Sequence, residues 1–201
     1  MSLRASESSE ILSIEHTING DRGTFTGVVT TAGLPQKGTF ESSSMDTFEG
    51  TFLDGAFHGV GTYTFAALEK GVYAGDFAFC SPHGSGKQTW SNGNVYDGDW
   101  ARGEQHGGGV YEWRNGNRYD GEWARGKMHG AGTWQGANGN KYVGEWAGGR
   151  HHGRGTYTWA ASQNVYCGDW SCGEMHGAGK LILGNGKVAH SGLWNKDKPV
   201  R

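Results

Sequence analysis

Six histidines recur along the chain, His58, His83, His106, His129, His152 and His176, each followed by Gly-x-Gly. Imidazoles in series could form a metal array or a set of general bases. A single ion held by bonds near 2 Å needs its ligands side by side, and repeats about 10 Å apart cannot supply that, so a structural role at a turn is expected. Cys172-x3-His176 with nearby Cys167 offers two thiolates and an imidazole, a zinc-like donor set without a fourth ligand. The carboxylates Asp97, Asp99, Asp120 and Glu122 could act as acid and base, yet they recur at one polar-face position in successive units. Catalysis needs a single distinctive constellation instead. No HExxH and no GxxxxGK[ST] phosphate loop is present. The chain is therefore expected to be non-catalytic, with no catalytic residue, no cofactor and no metal.

The elements that position these residues are repeats. The pattern aromatic-x-Gly-x-aromatic, then x-x-Gly, then x-x-His-Gly-x-Gly occurs six times. It starts at Phe48, Tyr73, Tyr96, Tyr119, Tyr142 and Tyr166, and a partial unit (HSGLW) begins at His190. Residues 23–47 keep Phe25, Gly27 and Gly38 but have Pro35 where the histidine would fall, and read as a degenerate end unit. The expected organisation is a flexible tail and cap over 1–22, polar and Ser/Glu-rich over 1–10. An array over 23–201 follows, with clear repeats at 48–189 and a partial last unit at 190–201.

Within a unit, strict alternation places Tyr96, Gly98 and Trp100 on one strand face and Asp97 and Asp99 on the other. In the next segment Gly107, Gly109, Tyr111 and Trp113 share a face opposite Val110 and Glu112. Glycine at Gly55, Gly103, Gly126, Gly149 and Gly173 suits a tight turn, with Cys80 as the exception. Asn92-Gly93, Asn115-Gly116, Asn138-Gly139 and Asn185-Gly186 mark a second set of hairpin connections. The fold expected is all-β, an elongated single-layer antiparallel meander of hairpins, on the order of 70 Å long.

Composition agrees. Glycine numbers 38 against 3 prolines, too few for collagen, and 9 Trp, 8 Tyr and 8 Phe are too many for a disordered linker. A net charge of −2 gives no general attraction to nucleic acid or anionic membrane. Three cysteines do not make a disulfide framework, and no long apolar run follows Met1. A reducing cytoplasmic setting is expected.

These units resemble MORN repeats, whose signature is the same Tyr-x-Gly-x-Trp, Gly, His-Gly-x-Gly series in units of about 23 residues. The resemblance spans 48–194 firmly, 23–47 weakly and 1–22 not at all. Cell-wall choline-binding repeats are also rich in Gly, Trp and Tyr, but their units are shorter and lack His-Gly-x-Gly. The resemblance implies a scaffold or adaptor in cytoskeletal or membrane-associated assemblies. It also implies two alternatives: a peripheral module for acidic phosphoinositides, or a targeting module for a catalytic domain. No such domain follows in this sequence, so the last alternative holds only for a fragment of a longer chain or for action in trans.

The expected partner is a protein, a peptide or helix laid in an aromatic and glycine groove. Its residues would be Tyr96, Trp100, Tyr119, Trp123, Tyr142, Trp146, Tyr166 and Trp170. A homodimer is expected too, because open strand edges seek partners, although Lys196, Lys198 and Pro199 oppose open-ended strand addition. Arg102, Arg125, Lys127, Arg150 and Arg154 are expected at hairpin tips along one edge, where they keep the edge soluble or meet an acidic phospholipid. Nucleic acid is not expected, since each ring already has a packing role.

Overall fold

The computed structural model describes residues 11–67 and 71–200. Among them are 17 strands and no helix. The chain divides into two compact units, residues 1–91 with 101–103 and residues 92–100 with 104–201. The stretch 1–10, expected as a tail, lies outside the described residues.

The first unit holds β1 (Leu12–Ile18), β2 (Asp21–Val29), β3 (Pro35–Ser42), β4 (Thr47–Leu53), β5 (Ala56–Thr64), β6 (Val72–Ala78) and β7 (Ser81–Thr89). Each pairs antiparallel with the next. Strand β1 falls inside the span 1–22 expected as tail and cap, beyond its polar stretch 1–10. Leu12, Ile14, His16 and Ile18 alternate with Ser13, Glu15 and Thr17, a period-two pattern that carries no repeat motif. Ile18 is buried.

In the second unit β8 (Val95–Ala101), β9 (Glu104–Glu112), β10 (Arg118–Ala124), β11 (Lys127–Gln135), β12 (Lys141–Ala147) and β13 (Arg150–Trp159) follow one another. They lead to β14 (Asn164–Ser171), β15 (Glu174–Ile182), β16 (Val188–Asn195) and the short β17 (Lys198–Pro199). From β9 onward each strand pairs antiparallel with its successor. Strand β8 is tied to β9 through the Gly108 amide, which donates to Asp99 Oδ2 at 2.9 Å.

Two kinds of turn alternate. Within a repeat two residues suffice: Arg125 (φ +51°) and Gly126 (φ +70°) form a turn whose twist matches that of the strands. Between repeats the loop has three residues, with the Trp113 amide donating to the Asn117 carbonyl at 2.9 Å across Gly116 (φ +87°). Both edges are stitched from repeat to repeat. Asn117 Oδ1 accepts from the Ala137 amide and Asn140 Oδ1 from the Ala160 amide, each at 2.9 Å. On the opposite edge the Gly126 amide donates to the Gln105 carbonyl at 3.0 Å, and the Gly149 amide to the Met128 carbonyl at 2.9 Å.

A sheet without a second layer must make its core from its own side chains. Tyr119 does so by lying flat on the backbone of β11 at Gly132. A Cβ added there would come within 2.6 Å of two ring carbons, so only glycine leaves the ring its place. The Tyr119 hydroxyl donates to the Glu122 carbonyl at 2.9 Å and the His129 carbonyl at 3.2 Å, which keeps its one polar atom satisfied. Trp123 stands edge-on to Tyr119 (5.3 Å, 88°) and to Tyr96 of the preceding repeat (5.2 Å, 81°). Its indole N–H donates to the Gly109 carbonyl at 3.1 Å. The same rung recurs at Trp146, Trp170 and Trp194. Each edge-on pair adds about 0.5–1.5 kcal/mol beyond the area it buries. The first unit builds the equivalent contact from phenylalanines, with Phe48 edge-on to Phe52 and Phe77.

Replacing Gly132 by Val should therefore destabilise the protein by about 3 kcal/mol, because the branched side chain displaces the Tyr119 ring. Replacing Gly126 by Asn, in open space at a left-handed turn position, should change stability by less than about 1 kcal/mol. Urea denaturation of the two variants checks this, and equal losses would count against the stacking explanation.

Candidate functional site

Tyr96, Tyr119, Tyr142 and Tyr166 have 0% of their surface exposed, and Trp100, Trp123, Trp146 and Trp170 keep only 5–8%. The eight residues expected to line a groove are brought together, but as the packed floor of the second unit. What stands accessible on the same face comes from the second strand of each repeat: Tyr111, Met128, Trp134, His151, Tyr157, Met175 and Leu181 are all half-buried. Register accounts for this row. Met128 pairs with Trp123, His151 with Trp146 and Met175 with Trp170, while Trp134 pairs with Tyr119 and Tyr157 with Tyr142.

His151 shows what this position does. Its ring stacks on Tyr142 at 3.8 Å and 16°, with Trp146 at 4.6 Å and Trp170 at 5.1 Å edge-on beside it. Burial pushes its imidazole down to about 4. Phe57 covers Phe48 the same way in the first unit, at 4.1 Å and 18°. The covering residue varies between repeats (Phe57, Pro82, Gln105, Met128, His151, Met175), whereas the tyrosine or phenylalanine beneath varies little. That variation within one chain is the sequence signal that marks the row, and it is distinct from the invariant aromatic and glycine spacing.

The His-Gly-x-Gly series has a backbone explanation. Gly121 pairs with Gly132 but Glu122 pairs with His129, so Gly130 and Ala131 have no opposite number. Gly130 adopts φ +54° to make this excursion. Glu122 Oε1 then accepts from the freed Ala131 amide at 3.2 Å, Glu145 Oε1 from the Arg154 amide at 2.9 Å, and Asp169 Oδ2 from the Ala178 amide at 2.8 Å. Glu122 and Asp99, read from sequence as solvated face charges, thus close the excursion of their own repeat. His129, His152 and His176 point their imidazoles outward, exposed on the other face, while the His129 and His152 carbonyls accept from tyrosine hydroxyls.

Among the described residues no group of three or more His, Cys, Asp or Glu is placed to hold a metal ion. Cys167 is exposed beside Thr156 and Lys180 on the outer face, and Cys172 lies exposed in the turn with φ +53°. Arg102 and Arg125 occupy two-residue turns as expected, and Lys127 and Arg150 begin β11 and β13. Arg154 does not belong to that edge. Its place in the excursion puts it on the outer face, 3.4 Å from Asp169. The first unit has an apolar pocket of about 220 Å³, lined mainly by Phe40, Phe57, Tyr63, Phe65, Tyr73 and Phe77. Cys80, the exception to the turn glycines, takes φ +64° there, and its thiol accepts from the Phe57 amide at 3.3 Å. Burial raises that thiol's pKa.

A family model for the MORN repeat matches residues 48–67, 73–95, 96–118, 119–141, 142–162 and 166–188, starting at the same six aromatics as the sequence pattern. The chain belongs to the MORN repeat family. Its rungs of Tyr, Gly and Trp are thus the packing of MORN units, one against the next. None of the curated proteins is similar enough to match. Solved structures that match include the SAS-4 (dCPAP) TCP domain of Drosophila melanogaster in complex with a proline-rich motif of Ana2 (dSTIL). It shares 11% identity, with a TM-score of 0.45, over 85% of this chain and 97% of that one.

The covering role of His151 in the MORN array has a pH signature. Its folded pKa is lowered from 6.5 to about 4, so between those values the unfolded chain takes up a proton that the folded chain does not. This group therefore withdraws stability as pH falls through that window and is without effect above it. His151→Met should gain stability relative to the parent as pH drops from 7 to 4.5. Thermal melts across that range check it, and a pH-independent difference between the two proteins would contradict the assignment.

Proposed function

We propose that this MORN array is a non-catalytic interaction scaffold that binds a protein segment along the inner face of its second unit. The observation that supports this is the row of half-buried Met128, Trp134, His151, Tyr157 and Leu181 on a floor of fully buried rings. The floor is rigid because every tyrosine is fixed by glycine beneath and indoles beside, so a segment meets a preorganised surface and loses little affinity to ordering it. Apart from His151 the row consists of Met, Trp, Tyr and Leu, side chains that supply large apolar contact area at interfaces. The setting we propose, in cytoskeletal or membrane-associated assemblies, rests on family membership alone.

Binding through an apolar row should have a negative heat-capacity change and should survive salt, in contrast to headgroup binding through edge charges. We expect peptides selected on the full chain from a random display library to bind with less than about a tenfold loss between low and high salt. Trp134→Ser with Tyr157→Ser should abolish that binding while far-ultraviolet circular dichroism stays unchanged. Calorimetry on the selected peptides checks both. Binding to phosphoinositide vesicles that Arg102→Glu with Arg125→Glu removes, and that the row substitutions leave intact, would replace this reading with the membrane one.

A further inference from the structure

Three cations of the second unit, Arg125, Lys127 and Arg150, sit at the tips of two successive hairpins, and all are exposed. None of them forms an ion pair among the described residues. On the outer face, by contrast, Arg118 meets Glu112 and Asp120, and Arg154 meets Asp169. The flanking repeats carry Glu104 and Glu174 at the place where this pair of repeats carries Lys127 and Arg150. These three cations therefore fall on two successive repeats, and Arg102 is the corresponding turn residue of the repeat before.

These cations adjoin the accessible row. Lys127 directly precedes Met128, and Arg150 directly precedes His151. His151 is held on Tyr142 between Trp146 and Trp170, and neither of its ring nitrogens bonds to a described residue. In its neutral form an imidazole has one donor and one acceptor nitrogen. The neighbouring repeats carry Met128 and Met175 at this position, so His151 adds hydrogen-bonding capacity that they lack.

We infer that the face from Met128 to Tyr157 takes an apolar protein segment whose flank toward the hairpin tips carries carboxylates, with His151 hydrogen-bonded to it. This rests on the reading of the inner face as a docking surface and adds the chemistry of what docks. Unpaired cations beside a half-buried apolar row complement a segment with one apolar and one acidic side, and the charges set its orientation and speed its encounter. A bilayer fits the same residues less well. A planar surface resting on the tips meets Arg125, Lys127 and Arg150, but Trp134 and Tyr157 lie more than about 10 Å farther along their strands.

The test selects random peptides displayed on phage against the full chain, against Arg125→Glu with Lys127→Glu, and against His151→Met. Recovered peptides should combine several large apolar residues with an excess of Asp and Glu. The double reversal should turn that excess toward Lys and Arg, and His151→Met should weaken the selected acidic peptides severalfold. Apolar peptides without an acidic excess, or with one that the reversal leaves unchanged, overturn this inference and leave the docking face standing. Recovery of no apolar peptide overturns the docking face itself. If no peptide is recovered while phosphatidylinositol phosphate vesicles bind the parent and not the double reversal, the cations belong to a membrane contact and the inference falls.

Discussion

A tyrosine ring laid flat on a glycine of the adjacent strand is the contact on which the rest of this structure depends. A single sheet has no opposing layer to bury its apolar face against, and rings standing upright on it would remain wet. Laying Tyr119 over Gly132 moves the ring into the plane of the sheet, and its hydroxyl then reaches the Glu122 and His129 carbonyls. Trp123 and Trp146 close the ring's two sides from their own repeats. Every such tyrosine is thus buried by two successive units, which couples neighbours in the way expected of repeat arrays. The excursion at Gly130 and Ala131 is part of the same geometry, since it turns the His129 carbonyl toward the hydroxyl that needs it.

This constraint separates residues that hold the array from residues free to read a partner. Tyr, Gly and Trp of the first strand, the glycines of His-Gly-x-Gly and the capping carboxylate are all fixed by internal contacts. In the second unit the covering residue and the side chain six positions after it are only half-buried, and these positions vary along the chain from Gln105 to Met128 to His151 and from Tyr111 to Trp134 to Leu181. Change at those positions leaves the tyrosine stack intact. A scaffold can acquire a specific surface there without altering its fold.

Much of this was legible in the sequence because period-two alternation and fixed glycine spacing are local properties. The repeat starts, the strand faces around Tyr96, Gly98 and Trp100, and both classes of turn follow from them. A Gly between two aromatics leaves room for rings to lie flat over the backbone, and the rings do lie flat. What spacing does not show is that each ring rests on Gly109 or Gly132 of the next strand and is thereby buried as a floor. The two-residue excursion was equally hidden, so Asp99 and Glu122 read as solvated charges and Arg154 as an edge residue. Strand β1 has alternation but no repeat motif, so its pairing with β2 does not follow from the repeat.

The central claim, that the first-strand tyrosines are internal to the sheet, is open to one direct measurement. Burial pushes the phenols of Tyr73, Tyr96, Tyr119 and Tyr142 well above their ordinary value of 10, with nearby carboxylates adding to the shift, and Tyr166 is pushed up to about 12. The unfolded chain loses those protons near pH 10, so the tyrosines withdraw stability as pH rises beyond that point. Tyrosinate absorbance followed together with near-ultraviolet circular dichroism tests this. Ionisation of these tyrosines should be suppressed at pH 10 and appear in one step with the loss of the aromatic dichroism. Ionisation of nearly all the tyrosines near pH 10 with the dichroism unchanged would contradict the account.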